Sequence, residues 1–324
     1  MTEPTYTNPI YAGYFADPFV LEHEGMYYAY GTSGRPTLGG RAFEVLRSPD
    51  LVSWTSLGSA LEPPEGLHGR DFWAPEVAFH NGIFYLYYSA GVEDKGHQIR
   101  VASSKGPEGP FRDLGFVLTG DDPFTIDAHP FRDDDGRWYL FFARDFLDGE
   151  RVGTALAVAP LVDMVRLEGP PRTVLRATAD WQIFRRSREM YGAVYDWYTL
   201  EGPFVRKHGG RYYLFYSGGA WEEPNYGVSY AVAESPLGPY AEPRSDGPTL
   251  LRSYPRVVGP GHNSVIRGPD GEDYLVYHAW DPQKTGRRMC LDRLVWTSEG
   301  PRTVGPSTTP QPAPQVPGRG RFMS

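Results

Sequence analysis

Five times along this chain a glycine opens a short aromatic run: GMYYAYG from Gly25, GIFYLYYS from Gly82, GRWYLFFA from Gly136, GRYYLFYS from Gly210 and GEDYLVYH from Gly271. The glycines stand 57, 54, 74 and 61 residues apart, a loose period slightly above the blade lengths of propeller repeats. Each run has the two-residue alternation and the Tyr/Phe enrichment of a β-strand between turn residues. The segments before the runs, such as DPFVLEHEG and HPFRDDDG, supply the partner strand of a hairpin. Third strands follow at FEVLRSPDLVSW, IRVASSKGPEGPF and YGVSYAVAESPLGPY, with Trp54, Phe111 and Tyr240 marking a fourth, outer strand. Apolar residues at helical spacing are almost absent. Five such units predict an all-β fold, a five-bladed β-propeller, which buries strand edges by radial repetition.

The uninterrupted repeat argues for one catalytic-sized unit over residues 1–306 rather than two domains. The last segment, residues 307–324, is rich in proline and small polar residues and reads as a disordered tail. The interval between Pro170 and Trp197 carries extra residues, expected to form a loop over one mouth of the ring. A net charge of −8 offers no basic face for phosphates and excludes a nucleic-acid partner. No apolar run reaches membrane-spanning length, so no membrane partner is expected. The start MTEPTYTNPI lacks a basic-then-apolar leader, which reads as cytoplasmic, or as secreted if a leader has been removed. Cys290 stands alone in the sequence and reads as a small buried hydrophobe.

Upstream of each aromatic run lies one acidic residue or histidine: Asp17 in ADPFV, Glu76 in APEVAF, Asp127 in IDAHPF, Glu201 in EGPFV and His262 in GHNSVI. Their offsets to the glycine are eight, six, nine, nine and nine residues. Acidic residues do cap surface turns singly, but five in near register on a radial repeat converge on a shared centre. Aromatic rings near that centre, Trp73 before Glu76 and Trp197 before Glu201, are either walls for the apolar face of a sugar or packing between blades. His129, two residues after Asp127, would share its face on an ideal strand, or else is a hydrogen-bonded structural histidine. Glu76 either binds substrate hydroxyls or holds neighbouring groups structurally.

The motifs ADPFV, WAPEV, IDAHPF, EGPFV and GHNSV, in that order from about Asn8 to about Gly305, resemble family 43 glycoside hydrolases. The resemblance implies an inverting glycosidase with Asp17 as general base, Glu201 as general acid, and Asp127 tuning the acid and orienting the sugar. It places His262 close to a central calcium ion or water cluster, with any ion reached through waters, and requires no cofactor for the reaction. An inward arginine of the last blade corresponds to Arg287 or to its neighbour Arg288, which face opposite sides of a strand.

Inversion requires a carboxylate to activate water on one face of the sugar and a carboxylic acid on the other, roughly 6.5–9.5 Å away. A third carboxylate beside the acid keeps it protonated by like-charge repulsion. The expected partner is a pentose-containing oligo- or polysaccharide, and the expected activity is release of terminal α-L-arabinofuranosyl units. β-Xylosidase and endo-α-1,5-arabinanase are the enzymatic alternatives. A sugar-binding propeller without catalysis is the alternative outside enzymes.

Overall fold

A computed structural model describes residues 4–32, 42–67, 69–120, 122–243 and 245–315. It is all-β, with only two short 3-10 turns, Glu65–Leu67 and Asp180–Gln182, among the described residues. The strands form successive antiparallel meanders whose first members are Ala16–His23, Asp71–His80, Thr125–Arg132, Ala193–His208 and Val258–Arg267. Each of these first strands packs against the first strand of the next meander, and the last packs against the first. Among the described residues the five therefore close a ring.

The aromatic runs form the second strand of each meander and are buried on both faces, because neighbouring meanders cover them from either side. That explains near-continuous apolar runs such as Arg211–Gly218, buried in all but its first residue. Tyrosine is favoured there because its ring fills the gap while its hydroxyl reaches across to a neighbour. Tyr30 donates to the Pro107 carbonyl at 2.5 Å and Tyr87 to the Met164 carbonyl at 2.6 Å, each linking one meander to the next.

Both chain ends stitch the ring shut. Thr5–Tyr6 pairs with Gln311–Pro312, and Asn8 imitates a strand residue by donating to the Leu291 carbonyl at 2.9 Å and accepting its N–H at 2.8 Å. The Ser307 amide donates to Asp292 at 3.0 Å. Residues 307–315, read from composition as disordered, are thus part of the closure; proline does not prevent their packing, because one short edge pairing supplies the needed contacts. The rest of the expected tail, residues 316–324, lies outside the described residues.

The first strand of each meander carries a β-bulge, where register breaks at Ala16/Phe19, Trp73/Glu76, Ile126/His129, Glu201/Phe204 and Gly261/Ser264. The first bulge residue is left-handed every time: Asp17 (φ 51°), Ala74 (47°), Asp127 (59°), Gly202 (56°) and His262 (46°). Asp and His tolerate this region better than most residues, and glycine adopts it freely. The structural register is therefore Asp17, Ala74, Asp127, Gly202 and His262. Glu201 stands one residue before its bulge and Glu76 two after Ala74, which corrects the alignment expected from the sequence.

Candidate active site

A bulge leaves a backbone N–H without a ladder partner, and in four of these five places a side chain accepts it. His278 Nδ1 accepts from the Asp17 amide at 3.1 Å, Thr32 Oγ1 from Ala74 at 2.8 Å, and Ser217 Oγ from His262 at 2.7 Å. Thr32, Ser217 and His278 each stand seven residues after the glycine of their own aromatic run. Each caps the bulge of the following meander around the ring. The third run has Ala143 at that position, and the Gly202 amide instead donates to Asp127 Oδ2 at 2.9 Å.

The bulges open into a cavity of about 510 Å3 that Asp17, Asp127, Glu201, His262, Arg287 and Trp73 all line. Arg287 approaches Asp17 Oδ1 at 3.1 Å, while Arg288 turns the other way to Asp281. That resolves the choice left open by the sequence in favour of Arg287, which also donates to the Tyr14 hydroxyl at 2.9 Å and lies 4.5 Å from the Trp221 ring centre. His262 Nδ1 lies 3.4 Å from Asp17 and 3.8 Å from Asp127. The Tyr226 hydroxyl donates to Glu201 Oε1 at 2.6 Å.

Electrostatics divides the three carboxyls. Burial alone would lift Asp17, but Arg287, then His262, outweigh it and hold its carboxyl well below the usual carboxylate range. Burial followed by repulsion from Asp127 pushes Glu201 up to about 7, against the Tyr226 hydrogen bond. Asp127 is itself pushed up to about 8, by burial and by the Asp17 charge. Asp127 and Glu201 therefore titrate as a pair that keeps a proton near neutral pH, while Asp17 stays ionised. His278, lowered to about 4 by burial, is neutral; with Nδ1 accepting from the Asp17 amide, its proton is assigned to Nε2.

Three expected site residues do not line the cavity. Glu76 and His129 form a buried pair at 2.7 Å, and His129 packs on Phe204 with ring centres 4.3 Å apart. They occupy the layer after the bulges, because the extra bulge residue breaks the i, i+2 rule that would have kept His129 on the side of Asp127. Trp197 is 1% exposed; its Nε1 donates to Thr154 and Arg188 covers its ring, so it belongs to the core. The inserted segment is a β-hairpin, Ile183–Met190 against Ala193–His208, rather than a loop. It sends Phe184 and Arg185 into the cavity wall, and Arg188 ties it to Asp94.

Sequence reasoning missed Tyr14, Tyr226, Trp221 and His278. Only His278 carried a signal, a histidine closing an aromatic run where the others close on threonine, serine or alanine. No group of three or more His, Cys, Asp or Glu side chains among the described residues is arranged to hold a metal ion. A calcium ion prefers six to eight oxygens, whereas His262 offers nitrogen and the adjacent carboxylates are committed to Arg287 and the Gly202 amide. These side chains do not fit a directly held calcium.

The sequence profile of Glycosyl hydrolases family 43 matches residues 6–301. The Beta-D-galactofuranosidase xynD of Aspergillus niger is 31% identical, the match covering 90% of this chain and 83% of that protein. An extracellular exo-alpha-(1->5)-L-arabinofuranosidase of Streptomyces avermitilis is 29% identical over 93% of this chain, which spans 63% of that protein's length. The crystal structure of a thermostable family-43 glycoside hydrolase superposes with a TM-score of 0.83 at 37% identity, covering 96% of this chain and 100% of that one. With its ring of strands and its cluster of acids in one cavity, the chain belongs to glycosyl hydrolase family 43.

Proposed function

We propose that the protein is an inverting exo-glycosidase that releases terminal non-reducing pentose units, α-L-arabinofuranosyl above all, from arabinan, arabinoxylan or their oligosaccharides. We read its ring of meanders as a five-bladed propeller with the site at one mouth. One observation carries this reading: a carboxylate held ionised, Asp17, and a carboxyl held protonated, Glu201, face the same cavity from different meanders.

In the proposed reaction Asp17 takes a proton from water as it attacks the anomeric carbon, and Glu201 gives its proton to the departing oxygen. Burial first and the neighbouring Asp127 second keep a proton on the pair that Asp127 and Glu201 form, and Asp127 is placed to accept from a sugar hydroxyl. Arg287 keeps the base ionised, and Trp73 offers an apolar face to the sugar ring. An exo mode is favoured by the inserted hairpin, whose Phe184 and Arg185 wall the cavity on one side. The furanoside-directed relatives favour a five-membered sugar over a xylose ring.

The test is a panel of 4-nitrophenyl α-L-arabinofuranoside, β-D-xyloside and β-D-galactofuranoside beside linear arabinan, with the first-formed anomer read by proton NMR. Arabinofuranoside turnover with inversion is expected, and Asp17→Asn and Glu201→Gln should each lose about 1,000-fold or more on arabinan oligosaccharides. Oligomeric products from arabinan without pentoside cleavage would replace the exo reading by an endo one. Retained turnover in either variant would remove the assigned roles.

A further inference from the structure

A protonated carboxyl has two oxygens and one transferable proton, so a general acid works only if something decides which oxygen carries it. The geometry points to Tyr226 as the positioning residue of Glu201: its hydroxyl holds Oε1, leaving the proton on Oε2, toward the cavity. This assignment rests on Glu201 being the acid and adds how that acid is aimed.

The hydrogen bond runs from the phenol to the acid, the Tyr226 hydroxyl donating to Glu201 Oε1 at 2.6 Å. A carboxyl oxygen that accepts this bond leaves its partner oxygen as the one to carry the transferable proton.

The phenol is also held in place. Tyr226 is fully buried and stacks on His278 at 7° with ring centres 6.0 Å apart. Gly261 is the residue its ring demands there, since a Cβ would lie 2.0 Å from a Tyr226 ring carbon. His278 in turn accepts the amide of Asp17. One ring stack thus carries the anchor of the acid and the anchor of the base, on strands that begin far apart in sequence.

The variant Tyr226→Phe keeps the ring and removes the hydroxyl. On unactivated arabinan oligosaccharides kcat should fall about thirtyfold, whereas on a 4-nitrophenyl glycoside, whose departing oxygen needs little proton assistance, it should fall less than about threefold. The basic limb of the rate profile should move up by at least about half a pH unit, because the lost donor favoured the ionised carboxylate. Carbon-13 NMR of labelled glutamate, with Glu201→Gln for assignment, reads the same upward move without any substrate. Equal losses on both substrate types, or an unmoved Glu201 titration, would reduce Tyr226 to a packing residue. Failure of the wild type on every pentoside would instead sink the proposed substrate while the titration still decides this point.

Discussion

A buried carboxyl kept protonated near neutral pH is a liability for the fold, and Glu201 allows the size of that liability to be measured. Its proton affinity rises from an ordinary 4.5 to about 7 on folding, through burial first and the Asp127 charge second. Below pH 4.5 folded and unfolded chains are both protonated there and the group contributes nothing. Between 4.5 and 7 the unfolded chain ionises while the folded one does not, so unfolding gains with pH, and above 7 the full penalty is present. At about 1.4 kcal/mol per tenfold change in proton affinity, and allowing for the cavity's solvent, the penalty is about 2–3 kcal/mol. Glu201→Gln removes the titration while keeping an acceptor for Tyr226. It should therefore stabilise the protein at pH 8 by about 2–3 kcal/mol, or about 3–4 °C in Tm for a chain of this size, and leave it unchanged at pH 4.5. Thermal unfolding of wild type and variant at the two pH values, followed by circular dichroism, supplies the comparison. An equal shift at both pH values, or a loss at pH 8, would refute the argument that Glu201 is held protonated by its surroundings.

Arg287→Ala should move the acidic limb of the rate profile to higher pH, because Asp17 loses the largest influence opposing its burial, and should lower kcat/KM about 100-fold or more. Arg287→Lys should not restore it, since one planar guanidinium serves Asp17 and Tyr14 while lying over Trp221. Glu76→Ala breaks a buried pair with His129 and should lower stability by about 3–5 kcal/mol in urea titrations, while KM stays within twofold of wild type.

How much of this was legible in the residues turns on one local device. The aromatic runs announced their strands because burial on both faces leaves a plain apolar pattern, and the ring followed from counting them. Asp17, Asp127 and His262 were visible as members of a register because they are the left-handed bulge residues themselves. Glu76 looked equivalent to them only because a proline-bearing bulge, Ala74–Pro75, precedes it. Its offset of six rather than eight or nine was the sign that it belongs to the next layer. Glu201 looked equivalent for the opposite reason, since glycine holds the bulge position and the acid stands one residue earlier. A carboxylate at Gly202 itself would face His262, where even a Cβ would come within 3.1 Å of the ring.

The caps were not legible, because they act across meanders and no spacing within one unit reveals them. Once seen, they account for the pairing of Asp127 with Glu201. Three runs close on a side chain that accepts a hydrogen bond from the next bulge: Thr32, Ser217 and His278. The third closes on Ala143, which cannot, so the Gly202 amide is left for the carboxylate of Asp127. That hydrogen bond sets Asp127 against the fourth meander, beside the residue that precedes Gly202. The coupling of Asp127 to Glu201, second to burial in raising Glu201, thus goes with the absence of a polar cap at Ala143.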